Sequence, residues 1–332
     1  MEKIALTGIK PTGTPHVGNY LGAILPALEL AEKYRAFYFI ADYHALTTVR
    51  DGKQLQELTY EVAATWLALG LDHEKVTFFR QSEVPELFEL QWILSCNTPK
   101  GLLNRAHAYK AAVDQNVAAE KDPDFGVNAG LFNYPVLMAS DILMFGTNIV
   151  PVGLDQKQHI EIARDIAENF NNTFGDILTM PEGLIQEDLM TIPGTDGRKM
   201  SKNYNNTLPL FFPSKQLRKR VMQIQTDSKT VEEPKNPDEC NVFAIYRRFA
   251  TPEQIADMRA RYEKGGLGYG TAKQELFELL EARFGQQREK YESLMANKAE
   301  IDSILLAGAE KARAVSRPMI HKVRQAIGAR PR

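Results

Sequence analysis

The chain of 332 residues, 44% hydrophobic and 25% charged, can bury a large α/β domain beside a smaller one, a composition ordinary for a globular protein that needs no disulfide staples. Its two cysteines, Cys96 and Cys240, lack the spacing of a zinc site, an iron–sulfur site or a disulfide framework, so no protein-held metal is expected. A net charge of −2 neither requires nor excludes nucleic acid, because local basic patches suffice for that.

Ile4-Ala5-Leu6 reads as a buried first strand, which Gly8, Pro11, Gly13 and Pro15 break into a tight loop. Because the chain reaches this strand without a basic and apolar leader, and no apolar run approaches membrane-spanning length, a cytoplasmic protein without a membrane partner is expected. A helix follows the loop, its apolar stripe running through Tyr20, Ala23, Ile24, Ala27, Leu28 and Ala31. His16-Val17-Gly18-Asn19 then lies on the helix N-terminus, where free N–H groups and the dipole favour an anion and His16 and Asn19 offer hydrogen bonds.

The run Ala36 to Ala41 reads as a central parallel strand that delivers Asp42-Tyr43-His44 to its carboxyl end, where ligands bind in open α/β sheets. His44 is therefore either a site residue or a histidine bonded to a neighbouring loop. A helix from Gly52 to Leu69, a strand from Val76 to Arg80 and helices on to Lys110 continue a strand–helix–strand rhythm, the pattern of a doubly wound parallel sheet. From Ala111 to Asn128 the polar sequence predicts a long loop.

Tyr134-Pro135 is read as the start of a helix on which Tyr134, Met138 and Asp141 share one face. An acid on an apolar face needs a partner, so Asp141 either turns to solvent or a cap, or accepts an N–H or O–H from a ligand. Asn148 to Val152 is a further strand, leading into Gly153 to His159 and a helix through Phe170, with the sheet ending near Met180. Gly194 to Arg198 forms a Gly-rich turn carrying Lys199-Met200-Ser201-Lys202, read as a hinge-like phosphate clamp. The expected domains are 1–205, α/β; 206–297, all helical; and 298–332, helices packing back on the body. Two basic clusters are solvated helix faces by default and RNA contacts as the alternative: Lys215, Arg218, Lys219 and Arg220; and Lys311, Arg313, Arg317, Lys322, Arg324, Arg330 and Arg332.

His16-Val17-Gly18-Asn19 resembles the His-Ile-Gly-His element of class I aminoacyl-tRNA synthetases, and Lys199-Met200-Ser201-Lys202 resembles the start of their Lys-Met-Ser-Lys-Ser loop. Further stretches extend the likeness along nearly the whole chain to the tryptophanyl-tRNA synthetases. Among them are Gly18 to Ala23, Asp42 to Ala45, Gly130 to Pro135, Met138 to Leu143, Val150 to Gly153, Asp155 to His159, Thr226 to Ser228 and Gly308 to Ala312. The tyrosyl enzymes resemble it too, but usually carry Gln where Met138 stands.

The resemblance implies a Rossmann-like catalytic domain that joins L-tryptophan to ATP and transfers it to tRNA(Trp), with magnesium carried on the ATP and a homodimer as the working form. It places the indole N–H on Asp141, the ring against Leu6, Met138, Val150 and Val152, the amino group at Tyr134 and Gln156, and His44 near the carboxylate. It places adenine on Gly18 and Met200, ribose at Gly153 and Asp155 with Gln156 nearby, and the phosphates at Thr12, His16, Asn19, Lys199, Ser201 and Lys202. Three departures suggest a divergent branch: Lys10 in place of Gln, Asn203 in place of Ser, and a longer Ala111 to Asn128 loop. Lys10 is expected at the substrate carboxylate or α-phosphate, the alternative being a side chain turned to solvent. The alternative reading is an RNA- or partner-binding paralogue that has lost efficient activation.

Overall fold

A computed structural model describes residues 2–153, 157–185 and 192–329. Five parallel strands form one sheet: β1 (Ile4–Ile9), β2 (Arg35–Ile40), β3 (Thr77–Arg80), β4 (Ile149–Val152) and β5 (Glu182–Ile185), in the order β3-β2-β1-β4-β5. β1 runs beside β2 from Ile4↔Arg35 to Ile9↔Ile40, β4 beside β5 from Ile149↔Glu182 to Val152↔Ile185, and β1 meets β4 at Ala5↔Ile149. The chain winds outward from β1 through β2 to β3, then returns to the other side of β1 for β4 and β5. That reversal makes the crevice beyond the carboxyl ends of β1 and β4 the natural ligand position. The sheet extends one strand past the expected end near Met180, because the short Glu182–Ile185 run lacks the continuous apolar character that marks the central strands.

Alternation along β2 divides the core. Tyr38 and Ile40 join one buried cluster with Tyr20, Trp66 and Phe78, and Phe37 and Phe39 join another with Leu6, Phe79 and Phe145. The first cluster runs on through Leu208, Val221, Phe243, Tyr262, Leu276 and Phe284, so the helices Ser214–Met222, Asn241–Tyr246, Pro252–Lys264 and Tyr269–Ala296 share a core with the sheet. Each fully buried aromatic or large aliphatic side chain there contributes about 1.5–3 kcal/mol.

Three local expectations are corrected. The first helix is broken by a wide π turn over Tyr20–Ile24, in which Leu25 N–H bonds Tyr20 O, because Pro26 has no N–H to offer the normal ladder. The turn shifts the buried stripe to Tyr20, Ile24, Ala27 and Leu30 and leaves Ala23 exposed. Residues read as loop from Ala111 continue the helix His107–Ala118, which buries none of its side chains and so shows no apolar period to detect. The next helix starts at Ala129, not at Tyr134: the Asn128 side chain caps Leu131 N–H at 2.9 Å and Pro135 is tolerated inside it.

The last helix, Lys298–Ala326, lies along the edge strand β3. A Cβ on Gly308 would stand 1.7 Å from the Phe78 carbonyl oxygen, so only glycine allows this approach. Gly308→Ala is expected to destabilise the protein by about 2–3 kcal/mol or more in denaturant unfolding. A loss below about 0.5 kcal/mol would show that the helix moves away at little cost.

Candidate active site

The loop after β1 is tied to its helix by His16, which is buried and caps the first turn. His16 Nδ1 accepts Asn19 N–H at 3.4 Å while Asn19 Oδ1 accepts His16 N–H at 3.1 Å, a reciprocal capping box. With Nδ1 accepting, the ring proton sits on Nε2. Burial, and then the nearby Lys202 charge, push the His16 pKa down to about 4, so at neutral pH it is an uncharged donor. Asn19, through its Oδ1, builds the cap itself. Val17 N–H donates to Leu208 O at 2.9 Å, which fastens the helix start to the segment following the second motif.

That second motif is a hairpin fastened by hydrogen bonds. Met200 N–H donates to Ile192 O and Gly194 N–H to Arg198 O, at 2.8 and 2.7 Å. Buried Asn206 accepts Ser201 N–H at 2.8 Å and gives its amide to Asp196 Oδ1 at 2.7 Å and Lys199 O at 3.1 Å. A Cβ on Gly194 would meet Asn206 at 2.3 Å, so this glycine permits close packing. The two motifs meet directly. Lys202 Nζ donates to Gly13 O at 2.5 Å, and Met200 Sδ would lie 3.5 Å from a Cβ on Gly18. Lys202 and Met200 are partly or wholly buried, whereas Lys199 is exposed. Ser201 Oγ accepts Asn203 N–H at 3.3 Å, and Thr12 is exposed on the loop between Lys10 and Gly13. The arrangement offers an uncharged imidazole, an ammonium, and a glycine floor beside a thioether, a set suited to a flat base and its phosphates.

A second group of residues gathers beyond the carboxyl ends of β2 and β3, which are followed by His44 and Gln81. Asp141 is 1% exposed, which disposes of a solvent-facing role. His44 Nε2 lies 2.9 Å from its Oδ2, and Gln81 Nε2 lies 2.8 and 2.9 Å from its two oxygens. Burial pushes the Asp141 carboxyl above its usual range, and the hydrogen bonds from His44 and Gln81 oppose that. Leu6, Val150 and Val152 are buried in one apolar cluster with Met138 packed against it. Tyr134 OH is 3.0 Å from His159 Nε2, and its ring meets the His44 ring edge-on at 6.3 Å.

Sequence reasoning passed over Gln81 and the Tyr134–His159 contact. Lys10 Nζ donates to Thr47 Oγ1 at 2.8 Å, whose hydroxyl donates in turn to His44 O at 2.8 Å, so Lys10 is held against the His44 turn and not splayed into solvent. Burial lowers its pKa. Gly153 follows β4 directly, while Asp155 and Gln156 lie outside the described residues.

Of the C-terminal basic cluster, Arg313, Arg317 and Arg324 are paired with acids, whereas Arg330 and Arg332 lie outside the described residues. Arg313 pairs with Glu86 at 3.0 Å, Arg317 reaches Glu310 at 3.5 Å, Arg324 binds Glu89, and Lys311 donates to His73 O at 3.2 Å. Among the described residues no three His, Cys, Asp or Glu side chains converge as a metal site, and no helix is long and apolar enough to cross a membrane.

Residues 2–285 match the family described as tRNA synthetases class I (W and Y). The chain is 54% identical over 330 residues to the tryptophan–tRNA ligase of Pseudomonas aeruginosa, covering 98% of this chain and 73% of that one. It is 49% identical over 333 residues to the tryptophan–tRNA ligase of Neisseria meningitidis, covering 99% of each. The tryptophanyl-tRNA synthetase of Campylobacter jejuni, solved with ADP and tryptophan, superposes with a TM-score of 0.91 at 46% identity, covering 98% of this chain and 99% of that one.

Proposed function

The chain belongs to the class I tRNA synthetases for tryptophan and tyrosine, and on that premise we propose that it activates L-tryptophan with ATP and loads it onto tRNA(Trp). The observation that carries the choice of tryptophan is Asp141, a buried carboxyl group held by His44 and Gln81, which can accept one N–H from a large flat ring. Tryptophan-dependent exchange of pyrophosphate into ATP tests the reading, and a preference for tyrosine in the same assay would overturn it.

In the first step the tryptophan carboxylate attacks the α-phosphate in line and pyrophosphate leaves. In the second, a ribose hydroxyl at the tRNA 3′ end attacks the acyl carbon and AMP leaves. Neither step needs a protein nucleophile, so catalysis rests on positioning and on neutralising phosphate charge. His16 Nε2–H and the Lys202 and Lys199 ammonium groups supply donors to the phosphates. Asn19 holds the helix start, and Thr12 and Ser201 border the path. Gly18 and Met200 form the adenine floor, with Gly153, Asp155 and Gln156 assigned to ribose and amino group by the family pattern. Magnesium is assigned to the nucleotide, whose phosphates it would bridge.

Within the amino-acid half, Leu6, Met138, Val150 and Val152 face the ring, and Tyr134 the amino group. His44 is assigned to the Asp141 end of the substrate, since its imidazole reaches that carboxylate directly.

Lys10, held by Thr47 against the His44 turn, is assigned to the substrate carboxylate or the α-phosphate. An ammonium between two approaching anions offsets their repulsion, less the cost of its own desolvation. Lys10→Gln is expected to lower kcat/KM for tryptophan activation about tenfold, and a change within twofold would reduce Lys10 to a support for Thr47.

We assign tRNA contact to the helix Ser214–Met222, where Lys215 and Lys219 are exposed and Arg220 joins Asn205 beside the lysine loop at 2.8 Å. Reversing the charge of Lys215 and Lys219 together should weaken aminoacylation about tenfold or more, flatten its salt dependence and leave pyrophosphate exchange intact. Equal loss of both activities would point to misfolding instead.

A homodimer in the cytoplasm completes the proposal. Trp92, 69% exposed on the helix Glu86–Asn97, is the apolar surface offered to a second copy, and sedimentation of the Trp92→Glu variant tests it.

A further inference from the structure

Gln81 is the first residue after β3 and has no exposed surface. Its Nε2 bridges both oxygens of Asp141, at 2.8 and 2.9 Å, while its own Oε1 is buried without a hydrogen-bond partner among the described residues. A buried amide oxygen with no donor is a standing cost that a methionine or leucine would not carry, so packing alone does not account for an amide here. Turning the amide over would set its oxygen against the carboxylate, so Asp141 fixes its orientation.

The turn that carries Gln81 is itself anchored. Asp42 Oδ1 accepts Ser82 N–H at 3.1 Å and Tyr43 N–H at 3.0 Å, and Asp42 Oδ2 accepts the Ser82 hydroxyl. Asp42 also opens the short helix Asp42–Ala45 that presents His44. One buried carboxylate, Asp42, thereby ties together the two turns whose donors, Gln81 and His44, converge on the other buried carboxylate, Asp141.

We propose that Gln81 is a positioning residue for amino-acid selection, holding Asp141 so that its open lone pair faces the ring N–H of the substrate. This rests on the reading of Asp141 as the indole acceptor. A carboxylate offers about four lone-pair positions, and His44 with the bridging amide leaves about one of them for a ligand. Without the bridge the carboxylate can rotate on its single bond to His44. Burial then favours the protonated form, which presents O–H in place of an acceptor. Either change harms a substrate bearing a ring N–H more than the analogue in which sulfur replaces that nitrogen.

The test compares pyrophosphate exchange supported by tryptophan and by its benzothiophene analogue in Gln81→Met, Ser82→Ala and Asp141→Asn. The tryptophan-to-analogue ratio of kcat/KM should fall about tenfold or more in Gln81→Met and by a smaller factor in Ser82→Ala, with the analogue's own kcat/KM within about threefold of its starting value. A structural defect lowers both substrates alike and leaves the ratio unmoved, and that result in both variants would overturn the proposal. If Gln81→Met does not fold, Ser82→Ala decides. An unchanged ratio in Asp141→Asn would instead remove the reading of Asp141 itself. A collapse there with no effect in the other two variants would remove only the role given to Gln81.

Discussion

Asp141→Ala is expected to lower kcat/KM for tryptophan activation by about 30- to 1,000-fold, or about 2–4 kcal/mol, the range for a charged hydrogen-bond partner left unmade in a buried site. Truncation removes more than the acceptor for the indole N–H. The donors of His44 and Gln81 now end on Asp141, and the Gln81 amide has no solvent to turn to. The loss should appear in KM and kcat together, since the ring is held in the ground state and in the transition state. Discrimination against tyrosine should narrow as well, because a site that no longer rewards one N–H on a flat ring selects mainly by volume. Pyrophosphate exchange with each amino acid measures both effects. Survival of tryptophan activation within a few fold would make the carboxylate a scaffold for its two neighbours.

The sequence exposes the sheet and hides much of the site's support, for physical reasons. β2 is legible because a strand buried on both faces needs an unbroken apolar run, and Ala36 to Ile40 is one. Asp141 is legible because an acid amid Leu137, Ile142 and Leu143 breaks a helix pattern. Gln81 is not, because a glutamine after a strand is ordinary in any turn, and only the fold brings it across 60 positions to Asp141. Asn206 is equally plain in sequence, yet it holds the lysine hairpin together. The pairing of two C-terminal cations is equally hidden: the acids of Arg313 and Arg324, Glu86 and Glu89, are more than 200 positions away, so a local count of charge cannot show these ion pairs. The π turn at Tyr20–Ile24 follows from Pro26, but its effect on which residues are buried requires the helix to continue through the proline.

Lys202→Ala should lower kcat for pyrophosphate exchange by about 100- to 1,000-fold, while the KM for ATP changes only a few fold. In the resting protein the ammonium is already fixed, its proton given to Gly13 O at 2.5 Å and its stem lying 3.1 Å from where a Gly13 side chain would begin. Desolvation lowers its pKa, opposed by the negative charge of Glu61, so it is a poorly hydrated charge held close to the first loop. A cation already stripped of much of its water gains most where negative charge is growing, on the departing pyrophosphate, and needs little rearrangement to do so. Lys199 differs: it is exposed and hydrated, so Lys199→Ala should act more on ATP affinity than on turnover. Lys202→Arg sharpens the distinction, because it keeps the charge but brings a broad planar fork to a place built around a single ammonium beside a glycine. It should therefore retain ATP binding and still lose most of the turnover. An alanine variant whose defect lies only in the KM for ATP would move Lys202 from the transition state to ground-state binding.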